Sequence, residues 1–506
     1  MTTTTLSVIG VGYLGAVHAA SMAELGHEVI GLDIDAERVA ALQAGIPPFH
    51  EPGFADILAR GLATGRLRFT TDYADLAGAE VHFLGLGTPQ RADGFGADLS
   101  HLETAVDALA EVLPSRSGAP TLVVGKSTVP AGTARLLRER LAHLDGVQLV
   151  WNPEFLREGF AVQDTLDPDR LVYGVHDPED AAAEQAIEML DGVYARILEK
   201  QPPRLVMGYE AAELVKTSAN AFLATKISFI NAVSEMCEVT GADVTDVARA
   251  VGMDDRIGAK FLRAGVGFGG GCLPKDLRAF IASAEEHGVG EALGFLREVD
   301  AINDRRRGRV VELARELLGD LHGRRVTVLG AAFKPDSDDV RDSPALDVAT
   351  RLRAAGAEVT VTDPEGLENA RPRMEELAEL EPDLDTALQG AELTVLLTEW
   401  SQYRELDPAR AAALVTAPRM IDGRNVLDPQ HWRAAGWTLR SLGRADALPA
   451  PRPAATDQSG ASEAVTGEAG AGEAWTGETR TGESRARPEG ARASAARPAE
   501  PVPALV

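Results

Sequence analysis

The chain has 506 residues, 45% of them hydrophobic and 25% charged, which is the composition of an ordinary soluble protein too long for one hydrophobic core. Fifty basic against 77 acidic side chains give a formal charge of −27, which argues against nucleic-acid binding and requires local cations wherever an anion is held. No apolar run reaches the roughly 18 residues of a membrane span, and the start, Met1-Thr-Thr-Thr-Thr-Leu6, has no secretory signal. Two cysteines provide neither a disulfide framework nor metal-ligand spacing, so no metal and a reducing, cytoplasmic setting are expected.

Leu6-Ser-Val-Ile-Gly10 reads as a strand, and Glu28–Asp33, Val81–Gly87, Thr121–Gly125 and Gln148–Trp151 continue the pattern with helical stretches between. Such alternation predicts a parallel sheet covered on both faces. The turn after the first strand, Gly10-Val11-Gly12-Tyr13-Leu14-Gly15, opens a helix and fits a dinucleotide: the glycines allow a tight turn, close approach of a pyrophosphate and tight helix packing. Asp33 ends the second strand, where a carboxylate binds a ribose 2′-hydroxyl and repels a 2′-phosphate, so NAD is expected. Arg38 nearby serves either a phosphate or the adenine. Ser100-x-x-Glu103 reads as a capping box at the start of a later helix.

From Tyr209 to Thr240 apolar residues recur at helical spacing without proline or glycine, predicting one long helix stopped at Gly241. Glu213, Lys216 and Asn220 share a face of it, where Lys216 and Asn220 can hold an oxyanion. The reading without function is a solvated polar stripe. Cys237 within this helix is expected to pack.

The run Gly267-Phe268-Gly269-Gly270-Gly271-Cys272-Leu273-Pro274-Lys275-Asp276 places the other cysteine on a glycine loop beside a lysine and a carboxylate. Cys272 is there either a small buried residue or a nucleophile whose pKa a nearby cation lowers. Strand–helix alternation restarts after about 305, with strands at Arg325–Ala331, Glu358–Asp363 and Leu393–Leu397. Beyond 448 the chain turns to Ala, Pro, Gly, Glu, Ser and Thr with a recurring Thr-Gly-Glu, and a disordered solubilising or tethering tail is expected at 448–506.

Five blocks in order resemble the UDP-glucose/GDP-mannose dehydrogenase family: Lys126-Ser-Thr-Val-Pro130, Asn152-Pro-Glu-Phe-Leu-Arg-Glu-Gly159, Glu213-Leu-Val-Lys-Thr-Ser-Ala-Asn220, the cysteine loop, and Gly330-Ala-Ala-Phe-Lys-Pro-Asp-Ser-Asp-Asp-Val-Arg-Asp-Ser343. The resemblance covers about residues 6–445. It implies an α/β fold of two doubly wound Rossmann-like domains joined by a long central helix: an NAD-binding domain at 1–200, a central helical dimerisation and catalytic domain at 201–304 and a UDP-sugar-binding domain at 305–447. The implied reaction oxidises a primary alcohol to a carboxylate with two NAD, through a cysteine thiohemiacetal and thioester.

By resemblance, Cys272 is the nucleophile, Lys216 and Asn220 stabilise oxyanions, Asp276 positions or deprotonates water with Thr128, and Glu154 is a base in thioester hydrolysis. Cofactor contacts carry over to Thr88, Pro89, Thr128, Glu158 and Arg341 beside the glycine turn, Asp33 and Arg38. Substrate contacts carry over to Glu154, Phe155, Leu156, Arg157, Glu158, Lys216, Asn220, Arg256, Phe268, Gly269, Phe333, Lys334 and Arg424. Arg256-Ile-Gly-Ala-Lys-Phe-Leu262 is similar to the branch acting on UDP-glucose, with GDP-mannose and UDP-N-acetylmannosamine as alternatives. A non-catalytic NAD-binding scaffold is the reading from another class. The loop has Gly271 where serine is more usual in the family, which adds backbone freedom beside the thiol. The long helix is implied as the interface of a homodimer or higher oligomer.

Overall fold

The computed structural model describes residues 3–113 and 120–444, so the tail expected at 448–506 lies outside the described residues. The first sheet contains β1 (Thr5–Ile9), β2 (Glu28–Leu32), β3 (Leu67–Thr70), β4 (Val81–Leu84), β5 (Thr121–Gly125), β6 (Val147–Trp151), β7 (Leu171–Val175) and β8 (Arg204–Gly208). Their order is β3-β2-β1-β4-β5-β6-β7-β8, parallel throughout except where β7 meets β6. Alternation along the strands sends Leu6, Val8, Phe83, Val124 and Val150 into one core and Ile9, Leu84, Val123, Leu149 and Trp151 into another. Both faces are thus covered, as the continuous apolar strands require.

The second sheet contains β9 (Arg325–Leu329), β10 (Glu358–Thr362), β11 (Glu379–Leu380), β12 (Leu393–Leu396), β13 (Arg419–Asp422) and β14 (Thr438–Ser441), in the order β11-β10-β9-β12-β13-β14. It too carries a core on each face, around Val326, Val328, Val361 and Val395 on one side and Leu329, Leu396 and Met420 on the other. In both sheets the order reverses beside the first strand, and in open α/β sheets ligands bind at that switch point, outside the carboxyl ends of the strands.

Between the sheets runs the long helix, Tyr209–Thr240, ending at Gly241 in the left-handed conformation. Helices Leu273–Glu286 and Phe295–Leu318 pack against it. The two Rossmann-like domains and the connecting helix are those expected, and Cys237 is buried in the helix as expected. The capping box at Ser100 is not formed. Asp98 accepts the Ser100 amide, and Glu103 is drawn instead to Arg140.

Candidate active site

The turn after β1 makes a cradle. Gly12 starts helix Tyr13–Glu24, and no side chain caps that end, which leaves its amides free for an anion. A Cβ at Gly12 would meet no protein atom within 4 Å, so this glycine keeps space for a ligand rather than for packing. Asp33, just beyond β2, accepts from the Val11 amide at 3.0 Å and from Arg38 Nη1 at 3.1 Å. Arg38 is also paired with Asp35 at 3.3 Å. Its charge is thereby offset by two carboxylates, an environment hostile to a 2′-phosphate. The residues fit NAD. Tyr13 turns its hydroxyl to Glu51 instead of the cradle, and the Gly159 amide donates to it at 3.1 Å.

Cys272 precedes helix Leu273–Glu286, so the positive end of a 14-residue helix lies at the thiol. Pro274 in the first turn suits that helix start. The cysteine is solvent-accessible, yet the cleft walls desolvate its thiolate. Burial, Asp276 and Glu158 push the thiol pKa up, against Lys216 and Lys275, which pull it down. The lowered pKa expected from neighbouring cations is therefore not the resting state of this thiol, because the carboxylates and burial outweigh the lysines.

Asp276 is buried and bound on both oxygens: Asn220 Nδ2 donates to one at 2.6 Å, and Lys275 Nζ to the other at 2.6 Å. Lys275 also reaches the Thr88 hydroxyl at 3.3 Å, which itself donates to the Thr128 carbonyl at 2.7 Å. Thr128, Lys275 and Asp276 line one recess. Pro89, beside Thr88, is exposed. The long helix, the cysteine helix and the loops after β4 and β5 thus meet at one point.

The loop after β6 carries Glu154. Its Oε1 accepts from the Phe155 and Leu156 amides at 2.9 and 3.2 Å, and its Oε2 faces Lys126 Nζ at 3.0 Å. The Phe155 ring lies beneath the Arg170 guanidinium at 3.9 Å and 5.5 Å from Lys216 Nζ. Glu158 is pushed up to about 7 by burial and by Asp339, against Arg341 and Lys334. Arg341 contacts Glu158 at 3.3 Å and Asp339 at 2.7 Å, while Lys334 donates to the Glu158 carbonyl. Gly271 makes room for this arrangement. A Cβ there would sit 2.3 Å from Arg341 Cζ, so any larger residue displaces the guanidinium.

Several expected contacts are spent elsewhere. Arg256 is 88% exposed, held by Asp254 on an outer turn, and is not brought to the cleft of this chain. Arg157 is engaged by Asp164 at 2.7 Å, and Leu156 packs on the first core. Phe268 is buried in one cluster with Ala221 and Leu277. A Cβ on Gly269 would meet the Asp342 carbonyl, so that glycine serves packing. Arg424 donates to the carbonyls of Leu397, Gly267 and Phe333 at 2.6, 3.0 and 3.0 Å, clasping the cysteine loop to the second sheet. The Phe333 ring covers Gly270. Glu213 does not join Lys216: its oxygens accept from the Gly132 and Ala134 amides at 2.7 and 2.6 Å, capping helix Thr133–Leu141.

Three family models, for the NAD binding domain, the central domain and the UDP binding domain of the UDP-glucose/GDP-mannose dehydrogenases, match residues 4–198, 210–305 and 327–429. The chain belongs to that family. It is 41% identical over 449 residues to UDP-glucose 6-dehydrogenase of Rhizobium meliloti, covering 87% of this chain and all of that protein. It is also 41% identical over 453 residues to UDP-glucose 6-dehydrogenase of Pseudomonas aeruginosa, covering 87% and 97%. The structure is similar to a UDP-glucose dehydrogenase from Pyrobaculum islandicum, with TM-score 0.79, 39% identity and coverage of 88% and 98%. It is also similar to a UDP-D-MAnNAc dehydrogenase from Pyrococcus horikoshii, with TM-score 0.76, 26% identity and coverage of 87% and 100%.

This member of the UDP-glucose/GDP-mannose dehydrogenase family is an NAD-dependent enzyme with a nucleotide-sugar substrate. Among the described residues no helix is long and apolar enough to cross a membrane. Its site includes groups that the sequence reading left without a role: Lys126, Asn152 and Tyr194 behind Glu154, Glu51 under Gly159 and Ala161, and Asp339 beside Arg341. Their partners stand 26 to 110 positions away except for Asp339, so no local spacing announces them.

Proposed function

We propose that the enzyme oxidises UDP-glucose to UDP-glucuronate, and that the cysteine loop is its reactive centre. The observation that carries this reading is the thiol of Cys272 at a helix N-terminus, within electrostatic reach of Lys216, Lys275 and Asp276. NAD, when bound, accepts a hydride from the sugar carbon. An aldehyde has no hydride to give until a nucleophile adds to its carbonyl, which is why a dehydrogenase that ends at an acid needs the sulfur. The Cys272 thiolate adds to the aldehyde carbon, and the resulting oxyanion is held by Lys216 and Asn220. Loss of the second hydride leaves a thioester; water adds to its carbonyl carbon, the C–S bond breaks, and the thiolate leaves. Asp276 and Glu154 are the carboxylates available to take the water proton.

The domain roles follow the same reading: 1–200 for NAD, 201–304 for the reactive centre and assembly, 305–447 for the UDP moiety. Lys334 and Phe333 face Glu158 and the cysteine loop and are the second sheet's candidates for substrate contact, whereas Arg424 acts by holding the loop. Assembly is supported by exposed Leu214, Phe222, Phe229, Met236 and Val239, which line the long helix at heptad-like spacing. A homodimer would cover them. Free Cys237 and Cys272 suit a reducing compartment.

The test is stoichiometric. NADH formed per UDP-glucose consumed is expected to be about two, as an alcohol-to-acid oxidation requires, with GDP-mannose and UDP-N-acetylmannosamine as comparison substrates. No turnover of UDP-glucose, or release of the aldehyde, would reject the proposal.

A further inference from the structure

Lys126 follows β5 and is only 4% exposed, an expensive place for an ammonium. Its Nζ lies 3.0 Å from Glu154 Oε2, 3.1 Å from Asn152 Oδ1 and 3.4 Å from Tyr194 Oη. The supports are themselves fixed: Tyr194 Oη donates to Asn152 Oδ1 at 2.8 Å, and Asn152 Nδ2 to the Val172 carbonyl at 3.0 Å. Among the described residues, Glu154 is the sole carboxylate in ion-pair range of Lys126. Behind them His18 is fully buried without a hydrogen-bond partner, and burial and the Lys126 charge hold it neutral.

A methionine would fill this volume without a desolvation cost, and replacing buried ion pairs by apolar residues is often neutral or stabilising. Packing therefore does not explain the lysine. What it alone supplies is a fixed positive charge under a carboxylate whose other oxygen already accepts two backbone amides. Both Glu154 oxygens are pinned, which sets where the carboxylate points.

We propose that Lys126 is the positioning residue for Glu154, holding it as an aimed carboxylate for the hydrolysis of the enzyme thioester; this rests on the function proposed above. In that step a water proton passes to Glu154, the water oxygen bonds the thioester carbon, the C–S bond breaks and Cys272 leaves as thiolate. The base is reset when that proton passes to solvent. Other charged or titratable groups near Glu154 are Tyr194 beside the lysine, Lys216 and Arg170 against Phe155, and neutral His18 behind. None replaces Lys126 in contact with the carboxylate.

The test compares full-length wild type, Lys126→Met and Lys126→Arg with UDP-glucose and NAD. In Lys126→Met the first-turnover burst of NADH is retained, and steady-state turnover falls about 10- to 100-fold. Acid-quenched protein then carries the sugar on Cys272 as the unhydrolysed thioester. Lys126→Arg, which keeps a cation beside the same carboxylate, holds turnover near wild type without the trapped adduct. If Lys126→Met fails to fold, Lys126→Gln, which keeps a polar contact without charge, carries the same expectations. Wild-type turnover in Lys126→Met, or equal loss of burst and turnover in a folded variant, overturns the inference. A wild type that forms no NADH from UDP-glucose overturns instead the proposed function, so the two failures are told apart.

Discussion

The two sheets share one strand order, and each ends its second strand with an aspartate, yet the two aspartates do different work. Asp33 accepts from Val11, Asp35 and Arg38, leaving one oxygen with a single bond and capacity for a ligand hydroxyl. Asp363 accepts from the amides of Ala331, Ala332, Glu365 and Gly366 and from the Trp400 indole, so five donors saturate it. The turns before them differ in the same sense. Gly10 and Gly330, each directly after the first strand of its sheet, are both crowded, a Cβ lying 2.9 Å from Leu86 and 2.3 Å from Thr398, but two residues on Gly12 faces empty space where the second sheet has Ala332. One topology thus appears once with an aspartate that keeps capacity for a ligand and once with an aspartate filled by the protein's own donors. Topology does not assign the cofactor; the unsatisfied acceptor does.

This contrast is breakable. Asp363→Ala strands five donors and is expected to cost about 3–5 kcal/mol in denaturant unfolding, while KM for NAD stays put. Asp33→Ala should do the reverse, raising KM for NAD about tenfold or more with little loss of stability. The glycines give the next effect. Gly12→Val should leave the melting temperature within a few degrees and raise KM for NAD about 100-fold, whereas Gly330→Val should lower the melting point and spare KM. Equal loss of stability in both glycine variants would dissolve the distinction.

The smallest effect lies between the domains, at Glu213. Burial pushes its carboxyl from 4.5 up to about 7, against the Ala134 and Gly132 amides that pull it down. The folded chain therefore holds a proton that the unfolded chain releases, so this contribution is full below pH 4.5 and is lost as pH rises through 7. Glu213→Gln removes the titration. The variant's stability relative to wild type, read as the difference in unfolding free energy, should rise by on the order of 1 kcal/mol between pH 5 and pH 8.

Much of the fold was legible because β1, β2, β4, β5, β9 and β10 are apolar runs ended by glycine or aspartate. Leu67–Thr70 escaped notice since four residues carrying an arginine give no run, and β14 carries an arginine too. Within the site, the motifs located Cys272, Asn220, Asp276 and Asp33, whose neighbours are set by a helix or by one turn. They left Glu213 without a partner, because a shared helix face does not fix where a carboxylate points once a helix N-terminus is in reach. Nor do the motifs show that Arg157 and Arg256 pair within the chain with Asp164 and Asp254, as an arginine does when a nearby carboxylate is offered. Lys126 stood inside a recognised block, but its meaning depends on Glu154 from the next strand's loop.

The 32-residue helix is tied to the rest of the protein at separated points: Glu213 near its start grips the first domain, and Glu238 near its end grips Arg306, Arg309 and the Gly443 amide. One residue inserted between those anchors would turn everything beyond it by about 100° and advance it by about 1.5 Å. Either anchorage would then miss its socket. Surface loops of this enzyme can lengthen or shrink over evolutionary time, but the stretch from 213 to 238 is a ruler whose length is fixed by what it connects.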